Sequence, residues 1–326
     1  MAQYVDVPSA FAASAIDNEE GGGFVMKNAT AILCADLHLR DDQPICRSDN
    51  YFLVQAIKIG FIRELQCEHG CPVIVAGDIF HKSKPSPFLL AWAIENLPNN
   101  MIVIPGQHDL PSHNLDLIEQ SGLHVLEAAG RVILTEGQSH AVGDPEHTSA
   151  VLYGYPYGAE LRGLRRKSEH RRIAVCHTLT WKKEKPFPGC QADSATKLLK
   201  KLNGFDLVVV GDNHQSFAVT HEGRFLINPG SMMRMTADQK EHKPRVYLWD
   251  AETNETEAVF LPIEKGVISR QHIDAVTERD ERIDAFVTKL DSEFAVGLSY
   301  EKNMEEFFGS NKVNRNVKQL IMEAME

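Results

Sequence analysis

Val73-Ile74-Val75-Ala76-Gly77-Asp78-Ile79-Phe80-His81 decides how this chain of 326 residues is read. Four apolar residues, three of them β-branched, have the pattern of a buried strand. They run straight into a glycine, an acid and, three positions on, a histidine. Such a strand delivers a carboxylate at its C-terminal edge, where open α/β sheets place their binding groups. Four other strand-like runs, at 31–38, 101–109, 172–177 and 207–214, also close on Asp, His or an amide. Converging edges would gather these side chains into one metal-ligand cluster with Asp78 in the middle.

Working outward, residues 51–68 carry apolar side chains at 53, 54, 57, 61, 62 and 65, a helical period. With strands at 31–35 and 73–76 on either side, this predicts a βαβ unit with a right-handed crossover. Further helices are predicted at 87–97, 115–120 and 194–202. Strands are predicted at 101–104, 123–126, 131–134, 149–153, 172–176 and 207–210, with 136–148 as a loop. The runs 217–220, 224–227 and 245–249 read as antiparallel strands. Alternating βαβ units followed by a run of strands imply an α/β fold of mixed sheets with helices outside. Residues 1–28, rich in small and acidic residues and containing Gly21-Gly22-Gly23, read as a flexible leader. From about 263 the chain turns polar and acidic, with amphipathic helices at 275–290 and 313–325. The expected organisation is a leader (1–28), a main domain (29–262) and a helical appendage (263–326).

The length allows one large α/β domain with an appendage, and 43% hydrophobic with 24% charged residues is an ordinary globular composition. No run approaches the roughly 18 apolar residues of a membrane span, and residues 1–27 lack a basic and then apolar leader, so a cytoplasmic location is expected. The six cysteines show no paired zinc spacing; Cys34 and Cys176 fall inside predicted strands as small buried thiols, which fits a reducing compartment. A net charge of −11 disfavours binding nucleic acid through the overall field. It leaves room for a local basic groove, and Arg162, Arg165, Arg166, Lys167, Arg171 and Arg172, with Lys182, Lys183 and Lys185 beyond, bracket the strand that ends in His177. Arg165 and Arg166 are the residues of this cluster expected to meet a phosphate backbone.

The ligand constellation follows from the strand ends. In Asp36-Leu37-His38 the first and third residues point the same way. Asp78 follows the next strand, and Gly106-Gln107-His108-Asp109 the one after, its glycine permitting a sharp turn. His177 ends a further strand and Gly211-Asp212-Asn213-His214 the last. Imidazoles suit several transition metals and carboxylates add affinity for hard cations. Two cations roughly 3.5–4 Å apart clamp both oxygens of a phosphoryl displacement. Asp78 is placed to bridge them.

Asp36-x-His38, Gly77-Asp78, Gly106-Gln107-His108-Asp109, His177 and Gly211-Asp212-Asn213-His214, in that order, resemble the calcineurin-like metallophosphoesterases over about residues 30–262. Within them the chain is similar to the SbcD-type DNA nucleases, phage versions included. The resemblance implies a four-layer αββα sandwich of two mixed sheets with a two-metal site at one edge. Asp36, His38 and His214 would hold one cation, Asp78 would bridge, and Gln107, His177 and Asp212 would hold the second. His108 would protonate the leaving group, oriented by Asp109, and His81 would place the phosphodiester. Asn228-Pro229-Gly230-Ser231 and Arg234 match a substrate-binding stretch of the nuclease branch. The family usually has Asn where Gln107 stands and His where Asp212 stands. These departures are expected to move the second site from zinc towards manganese, with magnesium the alternative. The function implied is a DNA nuclease, exonuclease or endonuclease. Its implied partners are DNA, an SbcC-type coiled-coil ATPase engaged through the C-terminal region, and a second copy in a homodimer. The host cytoplasm would be its location if it is phage-encoded. A small-substrate phosphodiesterase or phosphatase and a non-catalytic DNA-binding relative are the alternatives.

Overall fold

The opening stretch forms β2 (Val73–Val75), with all three residues buried because parallel strands flank it on both sides: β1 (Ala31–Cys34) and β3 (Met101–Val103). In this computed structural model the described residues are 26–324, apart from 136, 138, 145, 146, 166, 167, 298 and 299. Most of the predicted leader therefore lies outside the described residues.

The described residues form two six-stranded mixed sheets. In the first, β4 (Val132–Leu134) extends the parallel set beyond β3. On the other side β11 (Arg245–Asp250) pairs antiparallel with β1, and β12 (Glu255–Phe260) antiparallel with β11. The second sheet has β6 (His147–Tyr155), β7 (Arg171–His177), β8 (Leu207–Gly211) and β10 (Arg224–Asn228) in parallel, edged by the antiparallel β5 (Ser139–Asp144) and β9 (Phe217–His221).

Strand alternation sorts the apolar side chains into three cores. Ala31, Leu33, Ile74 and Ile102 of the first sheet meet Leu152, Ile173, Val175 and Val209 of the second, with Trp249 fully buried among them. The opposite face of the first sheet, Ile32, Cys34, Val73, Val75 and Val103, packs with Ile59 and Ile62 of α1 (Tyr51–His69), Leu89 and Ala93 of α2 (Pro87–Asn96), and Leu123 and Leu126 of α3 (Gly122–Ala128). The outer face of the second sheet, Ala174, Cys176, Val208 and Val210, packs with Leu198 and Leu199 of α4 (Ala195–Lys201). The result is the expected four-layer α/β sandwich.

Some elements differ from the sequence reading. Residues 123–126 are helical in α3: the Ser121 hydroxyl caps the His124 N–H at 3.1 Å, and the three-residue spacing of Leu123 and Leu126 buries both on one face. The loop predicted at 136–148 contains β5, and β12 was not expected. Both are edge strands with polar residues along them, so neither shows a buried run.

The chain's contacts divide it into residues 1–269 and 270–326. Residues 263–269 go with the first unit, where Ile268 pairs with Arg47 and the Ser269 N–H donates to the Cys46 carbonyl. The second unit consists of α5 (Gln271–Gly297), α6 (Tyr300–Ser310) and α7 (Arg315–Glu323). Within it Phe308 is buried and the Lys318 ammonium lies 5.1 Å from its ring centroid. No helix among the described residues is long and apolar enough to cross a membrane.

Candidate metal centre

The parallel strands β1, β2 and β3 of one sheet and β7 and β8 of the other end at a common place. Hydrogen bonds between the strand ends fix this. The Asp36 and His38 N–H groups donate to the Gly77 and Asp78 carbonyls at 3.2 and 2.9 Å. Across the sheets, the Asp212 N–H donates to both oxygens of Asp36 at 3.0 and 3.2 Å, and His177 Nδ1 donates to the Ala76 carbonyl at 2.6 Å. Asp36, His38, Asp78 and Asp212 all leave their strands with left-handed backbone, φ 49°, 45°, 55° and 91°. That conformation is costly for non-glycine residues and is found where function requires it. Here it turns the side chains off the strand direction and into the common edge.

Two glycines make the close approach possible. A Cβ on Gly77, itself at φ 87°, would lie 2.2 Å from His177 Nδ1. A Cβ on Gly106 would lie 2.2 Å from Asp78 Oδ1 and 2.4 Å from the Asp78 nitrogen. The turn that follows, Gln107–Asp109, is a single 3₁₀ turn whose His108 N–H donates to Asp78 Oδ1 at 2.8 Å.

Asp36, His38 and His214 each offer a donor atom within 4.8 Å of the others, as do Asp36, Asp78 and His177. Asp78 Oδ2, fully buried, accepts no hydrogen bond among the described residues, although it lies 3.4 Å from His177 Nε2 and 3.6 Å from His38 Nε2. His38 Nε2 and His214 Nε2 are 3.0 Å apart, and His177 Nε2 is 3.0 Å from Gln107 Oε1. Because His177 Nδ1 donates to a carbonyl, the neutral ring presents a lone pair at Nε2. Lone pairs of His177, Asp78 and Gln107 then face one point with no donor among them. Only a proton or a cation satisfies such a set.

The electrostatics agree. His177 is pushed up to about 10: burial opposes its charge, and the Asp78 and Asp36 carboxylates outweigh burial. Burial likewise opposes the Asp78 anion, yet His177 and His38 hold it well below the usual carboxylate range. Asp36 is pushed up to about 8, by burial first and by the neighbouring Asp78 and Asp212 charges, with His177 opposing. Burial lowers His38 and His214. Carboxylates converging with the neutral imidazoles of His38 and His214 fit divalent cations.

The other expected site residues divide into two groups. His108 and His81 are at the site, their rings stacked at 5.6 Å with 15° between planes, and His38 lies edge-on to both. His81 is held neutral, lowered to about 4 by burial and then by Arg40 and His108, and its Nδ1 has no hydrogen-bond partner among the described residues. The group that orients His108 is the His81 carbonyl, 3.0 Å from Nδ1. Asp109 does not orient that ring; it closes the loop, accepting from the Phe80 and Gly106 N–H groups at 3.1 and 3.0 Å.

Most of the second group is buried and hydrogen-bonded within the fold. Asn228 is buried and donates to the Asn213 and Gln215 carbonyls at 2.6 and 2.8 Å, bracing the His214 loop. Ser231 is buried between the Met233 carbonyl and Gln239 Nε2, both at 2.8 Å. Arg234, 6% exposed, donates to the Lys240 and Glu264 carbonyls. Arg165 is exposed, but Leu164 beside it donates to the Asn203 carbonyl. Asn203 precedes β8, whose far end carries Asp212, so Arg165 lies at the opposite edge of the sheet. Arg166 falls outside the described residues. One feature of the site edge gave no sequence signal: a cavity of about 730 Å³ beside Asp212 and His214, walled by Trp181, Lys182 and Lys183 on one side and by Arg245 and Tyr247 on the other. Its walls come from four separate stretches of the sequence, 179–186, 212–218, 236–239 and 245–247.

An archaeal phosphodiesterase of solved structure is 14% identical to this chain, covering 71% of it and 99% of its own length, with a TM-score of 0.37. A protein of Thermus thermophilus is 11% identical, covering 71% and 97%, with a TM-score of 0.41. No curated protein matches the chain. The model of the calcineurin-like phosphoesterase superfamily domain matches residues 30–254, which include every residue of the edge described above, and the chain belongs to that superfamily.

Proposed function

We propose that this member of a dinuclear metal-dependent superfamily of phosphoester hydrolases cleaves DNA phosphodiesters. Asp36, His38 and His214 would hold one cation, Asp78 both, and Gln107 and His177 the second, with manganese or magnesium suited to the carboxylate-rich set. Bound cations supply the Lewis acidity that activates water and neutralises charge on phosphoryl oxygens. The chain's own contribution centres on the stacked pair His81 and His108, the observation that carries the proposal. His108 Nδ1 donates to the His81 carbonyl, so a proton passed to the departing alcohol leaves from Nε2 of the doubly protonated ring, which returns to its neutral Nδ1–H form. His81, neutral and with an unpartnered Nδ1, contacts the esterified phosphate. Lys182, Lys183 and Arg245, around the adjoining cavity, supply positive charge for a polyanion. A coiled-coil ATPase docking on α5–α7 and a homodimer belong to the same proposal.

A second reading, a small-substrate phosphodiesterase, is favoured by the burial of Asn228, Ser231 and Arg234 and by the place of Arg165. Manganese-dependent cleavage of labelled linear and closed DNA, run beside turnover of a bis(nitrophenyl) phosphate, separates the two. The nuclease reading expects DNA cleavage that is lost in Asp78→Asn and impaired in His81→Ala. Turnover of the small diester with intact DNA would overturn it in favour of the second reading.

A further inference from the structure

The two positions that depart from the family pattern are in contact. Gln107 Nε2 donates to Asp212 Oδ1 at 2.7 Å, while Gln107 Oε1 faces His177 Nε2 at 3.0 Å. A carboxylate only accepts, so Asp212 selects the amide orientation in which the NH₂ faces it and the carbonyl oxygen faces the metal-ligand cluster. Asp212 is itself fixed from its other side, its N–H held by both oxygens of Asp36. The longer Gln side chain and the carboxylate thus form one hydrogen-bonded unit.

We infer that Asp212 is a positioning residue: it acts through Gln107, holding the amide oxygen as a ligand for the second cation, and it replaces a direct ligand by a supporting one. The inference rests on the proposed two-cation site and deepens it. Supporting partners of this kind are worth about 10–100-fold in metal affinity. The effect is confined to the second cation, because Asp36, His38 and His214 reach the first without the amide.

The test is manganese titration of the full chain by calorimetry, with electron paramagnetic resonance reporting the exchange-coupled Mn²⁺ pair. Asp212→Ala is expected to weaken the second ion by about 10–100-fold and remove the coupled signal while leaving the first ion unchanged. Asp212→Asn keeps an oxygen that accepts from the amide, so it is expected to restore most of the affinity. In a Gln107→Ala background, Asp212→Ala is expected to cost nothing more. Independent, additive losses, or an Asp212→Asn variant as weak as Asp212→Ala, would mean that Asp212 binds the cation itself, and would overturn the inference. A wild-type chain that takes up fewer than two ions would overturn the two-cation reading and the inference with it. Far-ultraviolet circular dichroism confirms that each titrated variant is folded; Asp212→Asn, nearly isosteric, keeps the test decisive if an alanine variant fails to fold.

Discussion

The tightest point of the metal-ligand edge is the contact between Gly106 and Asp78, and Gly106→Ala tests how much of the site depends on it. The Gly106 backbone has φ −94°, acceptable to alanine, so the substitution adds no conformational strain. What it adds is a methyl group 2.2 Å from Asp78 Oδ1 and 2.4 Å from the Asp78 backbone nitrogen. Rotating the carboxylate relieves only the first of these contacts; relieving the second requires the strand end to move. Restoring an ordinary 3.4 Å contact from the 2.4 Å to the backbone nitrogen takes 1.0 Å of displacement. A shift near 1 Å in a catalytic array costs about 100-fold in rate, or about 2.7 kcal/mol of transition-state stabilisation. Turnover of a nitrophenyl phosphodiester at saturating manganese is therefore expected to fall about 100-fold in Gly106→Ala. Gly60→Ala is the internal control: it lies in α1 with nothing within 4 Å of the added Cβ, and it is expected to keep full activity and gain up to about 1 kcal/mol of stability. Near wild-type turnover in Gly106→Ala, with the same melting temperature, would refute the claim that Asp78 is held within a fraction of an ångström.

Asp78→Asn removes a buried carboxylate that lies within 3.6 Å of both His38 and His177, and its turnover on the same diester is expected to fall at least about 100-fold with the fold retained by circular dichroism; full activity would exclude Asp78 from the reaction. His242, buried and donating to the Ser231 carbonyl at 2.9 Å, is lowered by burial to about 4 from an ordinary 6.5. Below pH 6.5 the unfolded chain takes up a proton that the folded chain refuses, so this residue's share of stability is intact above 6.5 and is lost as pH falls to about 4, a change of about 3 kcal/mol. Urea unfolding of wild type and His242→Gln at several pH values should show that much less acid sensitivity in the variant, and parallel curves would contradict it. Asn228→Ala leaves the Asn213 and Gln215 carbonyls without their donor, which should cost about 1–3 kcal/mol in urea unfolding with no specific rise in KM for DNA. A raised KM at unchanged stability would return Asn228 to the substrate.

The sequence made the central strands and the candidate metal-site residues legible for one reason. Strands buried on both faces show as continuous apolar runs, and a polar residue directly after such a run is conspicuous. That logic found Asp36, His38, Asp78, Gln107, His177, Asp212 and His214, all of which the fold brings to one edge. It missed β5 and β12, edge strands in which polar and half-exposed residues replace the buried run, and it misread α3, where Leu123 and Val125 alternate by chance and the cap at Ser121 was the better signal. Asn228, Ser231 and Arg234 are buried against carbonyls and polar side chains for a different reason. A motif gives the residue type and its place after a strand, but whether a polar side chain points out to substrate or back to a carbonyl depends on loops distant in sequence. Arg165 lies away from the metal-site edge for a topological reason. The chain between parallel β6 and β7 must return to the start of the next strand, so residues late in that connection lie at the edge away from the ligands, across the five residues of β8, roughly 17 Å.

The positive-φ residues carry the argument furthest. Asp36, His38, Asp78 and Asp212 sit at strand ends where glycine would be the relaxed choice, and each strained backbone is clamped by a hydrogen bond from a neighbouring strand end. Asp36 N–H binds Gly77, His38 N–H binds Asp78, and Asp212 N–H binds Asp36, so the distortion is shared through one connected set. Such a set has no local sequence signature, since Asp and His in this conformation are unusual one at a time. It also means that the ligands are positioned by the two sheets together rather than by any single loop. Cation binding then draws on an arrangement already formed when the strands pair, which places the stabilisation of the strain in the sheets' buried cores and leaves the ligand atoms themselves free of it.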